Sequence, residues 1–175
     1  MIRYVLFLIL FLLFILEGSV FQIFAPDQFG VPYLFTPRWV FLIIIFAGIF
    51  RGRMVGTVYG IIFGVMYDVI YMSVLGVYAF GMGFIAYLLS ISIPIFQRNL
   101  IIAIITAVLA VITLDYYVYG MMLLLGITTV EHAEFFNVRF LPSLLLNVAF
   151  ISVFAYPLRK GFYYLRQKQE EEKKL

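Results

Sequence analysis

The chain has 175 residues, 65% of them hydrophobic and 12% charged, with a mean hydropathy of +1.10 and a net charge of +3. Ordinary soluble domains are about half apolar and about a quarter charged, so the excess apolar surface of so small a chain has to face lipid. The absence of cysteine excludes disulfides, thiolate metal sites and a cysteine nucleophile, the single histidine (His132) excludes a multi-histidine metal centre, and the scattered basic residues give no nucleic-acid footprint.

A span needs about 20 apolar residues to cross about 30 Å of hydrocarbon. The first is expected over Ile2–Phe24, and it reads as a retained helix rather than a signal peptide because Glu17 to Phe24 offers no small-residue cleavage site. Ala25–Thr36 carries two prolines, a glycine and an Asp and reads as a loop. A second helix is expected over Pro37–Phe50, short for a span, with Pro37 in its first turn, where a missing N–H costs nothing. Arg51-Gly52-Arg53 is a charged turn. A third helix is expected over Met54–Met72 and a fourth over Gly76–Ile95, separated by the short turn Ser73–Leu75. Gln97-Arg98-Asn99 makes the next turn, and a fifth helix follows over Leu100–Leu125. Gly126–Val138 is a polar loop, and a sixth helix is expected over Arg139–Tyr164.

The charges orient this scheme. Six spans place both termini and the turns at 51–53 and 97–99 on one side, with Arg3, Arg51, Arg53, Arg98, Arg159, Lys160, Arg166, Lys168, Lys173 and Lys174. The other side keeps Arg38 and Arg139, so the positive-inside rule puts both termini in the cytoplasm. The expected architecture is all-α: a polytopic membrane protein of the cell membrane, a compact bundle of about six transmembrane helices over residues 1–164 with a short cytoplasmic polar tail over 165–175. Tyr4, Tyr33, Trp39, Tyr71, Tyr116, Tyr163 and Tyr164 fall at predicted interfaces, as an aromatic belt would.

Two patterns stand out. Gly56, Gly60 and Gly64 recur every fourth residue on the third helix, and Gly76, Ala79 and Gly83 make a second small face on the fourth. Small faces let helix backbones approach closely in lipid, either within the bundle or against a partner's helix. Acids also lie inside the spans. Glu17, Asp68 and Asp115 stand 14 to 17 residues beyond Arg3, Arg53 and Arg98, roughly 21–26 Å from the inner face at helical rise. Asn147 lies near the same level. Ionisable groups at such depth usually face the bundle interior, so these residues form a candidate outer polar pocket, or else three separate acids near the outer interface. Arg38 lies at a similar depth and is expected as the counter-ion of Asp68, with Glu17 and Asp115 competing for it. No serine has a histidine within helical reach, and no Walker, GxGxxG or metal-ligand run occurs, so neither an enzyme nor a cofactor is expected.

The stretch Gly56–Ala79, GTVYGIIFGVMYDVIYMSVLGVYA, resembles the signature of the rod shape-determining MreD family: a glycine-rich span, G-x3-G-x3-D at Gly60, Gly64 and Asp68, then Gly76 opening the next helix. The resemblance implies a non-enzymatic scaffold of the bacterial cell-elongation and peptidoglycan-synthesis machinery. Its partner would be an MreC-like bitopic protein, and through it MreB filaments, the RodA glycosyltransferase and a class B penicillin-binding protein. The family is also similar to the substrate-binding subunits of energy-coupling-factor transporters. The alternative expectation is therefore a solute-binding membrane subunit of a vitamin-type transporter.

Overall fold

The computed structural model describes residues 2–23, 33–90 and 97–172, with side chains described over 5–19, 33–90 and 97–164. Within them the chain is helical, with no strand: α1 (Ile2–Ile23), α2 (Trp39–Arg51), α3 (Arg53–Tyr71), α4 (Val77–Leu89), α5 (Leu100–Leu124) and α6 (Leu141–Glu172). α6 is entered through one turn at His132–Glu134 and a π-helical stretch, Phe135–Phe140. The sixth helix thus begins inside the expected loop, and its backbone continues through most of the expected tail. The expected end of the fourth helix, 91–95, lies outside the described residues, as does most of the loop at 25–36.

α2 is the centre. It touches each of the other five helices, and every residue from Val40 to Phe50 is buried. The sequence explains this, because WVFLIIIFAGIF has no polar face to turn outward. The surrounding helices instead show large apolar side chains on the outside: Leu8 and Leu12 on α1, Val58 and Val69 on α3, Phe80 and Phe84 on α4, Ile101 and Ile105 on α5, Leu145 and Val153 on α6. Water does not tolerate such a girdle. Three of the helical stretches, Arg53–Tyr71, Leu100–Leu124 and His132–Tyr164, are long and apolar enough to cross a membrane.

Two tight turns connect the core elements. Gly52 joins α2 to α3 at φ +118° and donates to the Gly48 carbonyl at 3.0 Å, and Gly76 opens α4 at φ +103°. Both are conformations that only glycine adopts cheaply. Between these turns the glycine row is filled from within. A Cβ on Gly56 would lie 3.0 Å from the Gly48 Cα, one on Gly60 2.8 Å from the Met82 carbonyl oxygen, and one on Gly64 2.5 Å from the Ala79 Cα. The row on α3 therefore packs on α2 at one end and on the small face of α4, Ala79 and Gly83, along the rest. Internal packing occupies the row.

Consecutive helices alternate in direction. The end of α1, the start of α2, the end of α3, the start of α4, the second half of α5 and the start of α6 meet at one end, through Glu17–Val40, Asp68–Tyr78, Arg38–Asp115 and Arg38–Asn147 contacts. At the opposite end Gln97 donates to the Ile49 carbonyl, Arg159 to the Arg98 carbonyl and Tyr163 to the Gln97 carbonyl.

Candidate functional site

α2 has 13 residues, about 20 Å of helix, short of the roughly 30 Å of a bilayer core. The remaining reach is supplied by non-helical backbone over 33–38, which advances up to about 3.3 Å per residue. Non-helical backbone at that depth is tolerated only where protein or a wet cavity satisfies its polar groups. Here the π-helical stretch and α6 do so, through one carbonyl and two side chains. Leu34 N–H donates to the Val138 carbonyl at 2.8 Å, Thr36 N–H to Ser143 Oγ at 2.9 Å and Arg38 N–H to Asn147 Oδ1 at 2.8 Å. In return Ser143 Oγ donates to the Leu34 carbonyl at 3.2 Å, and Asn147 Nδ2 to the Thr36 carbonyl at 3.2 Å. The registers match because two extended residues advance about 6.6 Å and four helical ones about 6 Å. Ser143 and Asn147 thus act as a substitute strand edge. Asn147 was legible in the sequence as a polar group in a span. Ser143 was missed, although its spacing of four from Asn147 put both on one face.

This arrangement holds Arg38 at the head of α2, 3% exposed. Its Nε donates to Asp115 Oδ1 at 3.1 Å and its Nη2 to the Tyr78 hydroxyl at 2.7 Å, with the guanidinium carbon 4.9 Å from the Tyr78 ring centre. The counter-ion of Arg38 is therefore Asp115, and the expected pairing with Asp68 is corrected. Asp68 is taken by backbone. Its Oδ1 accepts from Tyr78 N–H at 2.7 Å, and its Oδ2 from Gly76 N–H at 3.0 Å and Ala79 N–H at 2.9 Å. The first turn of a helix leaves its N–H groups unpaired and carries partial positive charge, so a carboxylate from α3 serves as the cap that α4 lacks in its own sequence. Glu17 makes a bond of the same kind, with Oε2 accepting from Val40 N–H at 3.3 Å, and its carboxylate lies beside the Tyr67 hydroxyl.

Four of the five candidate pocket residues, Glu17, Arg38, Asp115 and Asn147, thus converge on the entry to α2. Asp68 stands one step away, linked through Tyr78. Two cavities of about 220 Å³ each flank Arg38. One runs past Asp115 to Tyr119, Thr128, Glu134 and Ser143, and the other lies among Glu17, Thr36, Tyr67, Tyr71 and Tyr78. Arg139 lines both. Tyr67 and Tyr78 were not singled out by sequence, since tyrosine in an apolar run reads as an interface residue. Of the expected aromatic belt, Trp39 stacks on Phe150 at 4.9 Å between ring centres, and Tyr116 packs against Phe135 and Phe140. His132 is exposed and its ring lies near Tyr116 and Tyr119. Among the described residues no three His, Cys, Asp or Glu side chains are grouped to hold a metal ion.

These features define an all-helical membrane protein whose buried charges brace a central, half-length helix. The family described as rod shape-determining protein MreD matches residues 1–166. The chain is also 34% identical over 137 residues to the rod shape-determining protein MreD of Bacillus subtilis (strain 168), covering 78% of this chain and 80% of that protein. The chain belongs to the MreD family, and its role is in the determination of cell shape. No solved structure matches it.

Proposed function

We propose that this protein is a non-enzymatic scaffold of the cell-elongation machinery in the plasma membrane, crossing it six times with both termini and the tail at 165–175 in the cytoplasm. It binds the transmembrane helix of an MreC-like bitopic protein. Through that partner it acts on MreB filaments, RodA and a class B penicillin-binding protein in peptidoglycan synthesis. The observation that carries this reading is the family match along residues 1–166. The geometry agrees with it. Arg38, Asp68, Asp115 and Asn147 are engaged with backbone or with one another, as groups that hold a shape are. The alternating helix directions and the gathering of Arg51, Arg53, Arg98 and Arg159 at the end opposite Arg38 support the six-span topology. Because the glycine row is already filled by α2 and α4, the partner helix docks on another part of the apolar girdle.

Affinity purification of the tagged chain from its own membranes tests the proposal. Stoichiometric recovery of a single-span protein with an extracytoplasmic domain is expected. Recovery of an ATPase without such a protein would favour the second reading, a solute-binding transporter subunit, to which the two cavities beside Arg38 lend weight.

A further inference from the structure

The two ends of the bundle differ in charge. Among the residues whose side chains are described, every acid (Glu17, Asp68, Asp115, Glu131 and Glu134) lies at the end that holds Arg38. The opposite end carries Arg51, Arg53, Arg98, Arg159 and Lys160 and, among those residues, no acid. The next acid along α6, Glu170, follows Lys160 by ten residues, about 15 Å at helical rise.

The fold gathers three of these cations into one patch. Gln97 Nε2 donates to the Ile49 carbonyl at 3.0 Å, and the Tyr163 hydroxyl donates to the Gln97 carbonyl at 3.0 Å. Arg159 Nη2 donates to the Arg98 carbonyl at 2.9 Å, and its guanidinium carbon lies 5.6 Å from the Tyr163 ring centre. The turn before α5 is thus clamped between the end of α2 and α6, and it sets the Arg98 side chain beside Arg159, with Lys160 next in the chain. Arg98 and Lys160 are exposed, and among the described residues their side chains form no hydrogen bond or ion pair. Like charges held together repel, and only an anion from outside the described chain relieves them.

The surface next to the patch says what kind of anion. Ile101 and Ile105 on α5, and Val153 and Tyr156 on α6, are exposed apolar side chains, and the two helices pack against each other. Ile101 follows Arg98 by three residues and Tyr156 precedes Arg159 by three. A cationic head therefore adjoins two apolar strips at the level where a membrane passes from hydrocarbon to headgroup. A soluble anion or an acidic peptide uses only the head of such a surface, whereas a phospholipid uses both parts. A zwitterionic headgroup brings a cation of its own to a site that already holds three, so the fit is to a lipid with net negative charge.

We propose that this patch binds an anionic phospholipid, whose phosphate accepts from Arg98, Arg159 and Lys160 while its acyl chains lie along the exposed side chains of α5 and α6. The six-span reading enters only in assigning the site to the inner leaflet.

The test reconstitutes the full chain in phosphatidylcholine nanodiscs, titrates phosphatidylglycerol, and counts the lipid retained on the protein by native mass spectrometry. Both leaflets of a disc carry the lipid, so the outcome does not depend on which end faces the cytoplasm. Saturable retention of phosphatidylglycerol over phosphatidylcholine is expected. Arg98→Gln and Lys160→Gln replace exposed side chains that hold nothing in the fold, and each is expected to weaken retention about fivefold, equivalent to about 1 kcal/mol for a basic residue at an anionic membrane surface. Arg53→Gln removes the same charge at the same end, where Arg53 lies over the Tyr87 ring of α4, and is expected to leave retention unchanged. Equal loss in Arg53→Gln, or unchanged retention in the Arg98→Gln, Lys160→Gln double mutant, overturns the proposal. Displacement of the lipid by poly-glutamate, a probe for an acidic peptide partner, also overturns it.

Discussion

Arg38 and Asp115, 77 residues apart in the chain, meet in a buried ion pair of 3.1 Å between Nε and Oδ1. The pair ties the head of α2 to the second half of α5. The same guanidinium bonds the Tyr78 hydroxyl, so α4 is drawn into the same joint. Removing one partner of a buried pair typically costs about 3–5 kcal/mol, because the other charge is left without compensation. Arg38→Gln and Asp115→Asn are each expected to lower the unfolding temperature sharply, and the double mutant to melt near the worse single one rather than at the sum of the two losses. A double-mutant cycle by thermal unfolding in detergent measures this. Reversal to Arg38→Asp with Asp68→Arg is expected to rescue nothing, since those two side chains are not paired.

Asp68 is predicted to act on α4 rather than on Arg38. Asp68→Ala strands three N–H groups at Gly76, Tyr78 and Ala79. Loss of an ordinary N-cap costs about 0.5–2 kcal/mol, and this cap serves three donors instead of one. Faster amide exchange over 76–79, with exchange in α5 unchanged, is the expected signature. Asp68→Asn keeps acceptor capacity on one oxygen and should show a smaller effect.

The extended entry to α2 depends on α6. Asn147→Leu removes the acceptor for Arg38 N–H and the donor to the Thr36 carbonyl at once. Each buried group left unpaired costs about 1–3 kcal/mol. Asn147→Leu is therefore expected to loosen the entry to α2: exchange over 33–38 should accelerate while α3 and its packing on α4 stay protected. Equal exchange in the parent and in Asn147→Leu would show that the side-chain edge does not hold the segment.

Glycines on and off the packed face should separate cleanly. Gly64→Ala places a Cβ 2.5 Å from the Ala79 Cα, against backbone that has little room to move, and overpacking of this kind costs about 1–3 kcal/mol. Gly120 has open space at its Cβ position, and in a helix Ala exceeds Gly by about 0.5–1 kcal/mol. Gly64→Ala is expected to lower the amount of folded protein and to disturb rod shape in cells, whereas Gly120→Ala leaves both unchanged or improved.

The six-span topology is open to cysteine labelling, as the chain has no native cysteine. Glu134 and Asn99 are both exposed. With an impermeant thiol reagent, Glu134→Cys should label in intact cells and Asn99→Cys only after permeabilisation. Labelling of both from the same side would overturn the topology.

The sequence by itself determined the helical membrane character, the approximate helix limits and the small-residue faces, because each is written in local periodicity: apolar run length, turn glycines and a four-residue glycine step. α3 illustrates this, expected over Met54–Met72 and found over Arg53–Tyr71. The depth of the acids was legible too, since rise per residue converts sequence separation into height. Only the tertiary structure decided which of those groups touch. Height along a helix says nothing of azimuth, so the expectation of Asp68 as the partner of Arg38, with Glu17 and Asp115 as competitors, could be decided only by the rotation of α3, which aims Asp68 at the start of α4, and that of α5, which aims Asp115 inward. The extended stretch before α2 was hidden for a related reason. Its hydrogen bonds come from Ser143 and Asn147, over a hundred residues away, and no local pattern records a partner that distant.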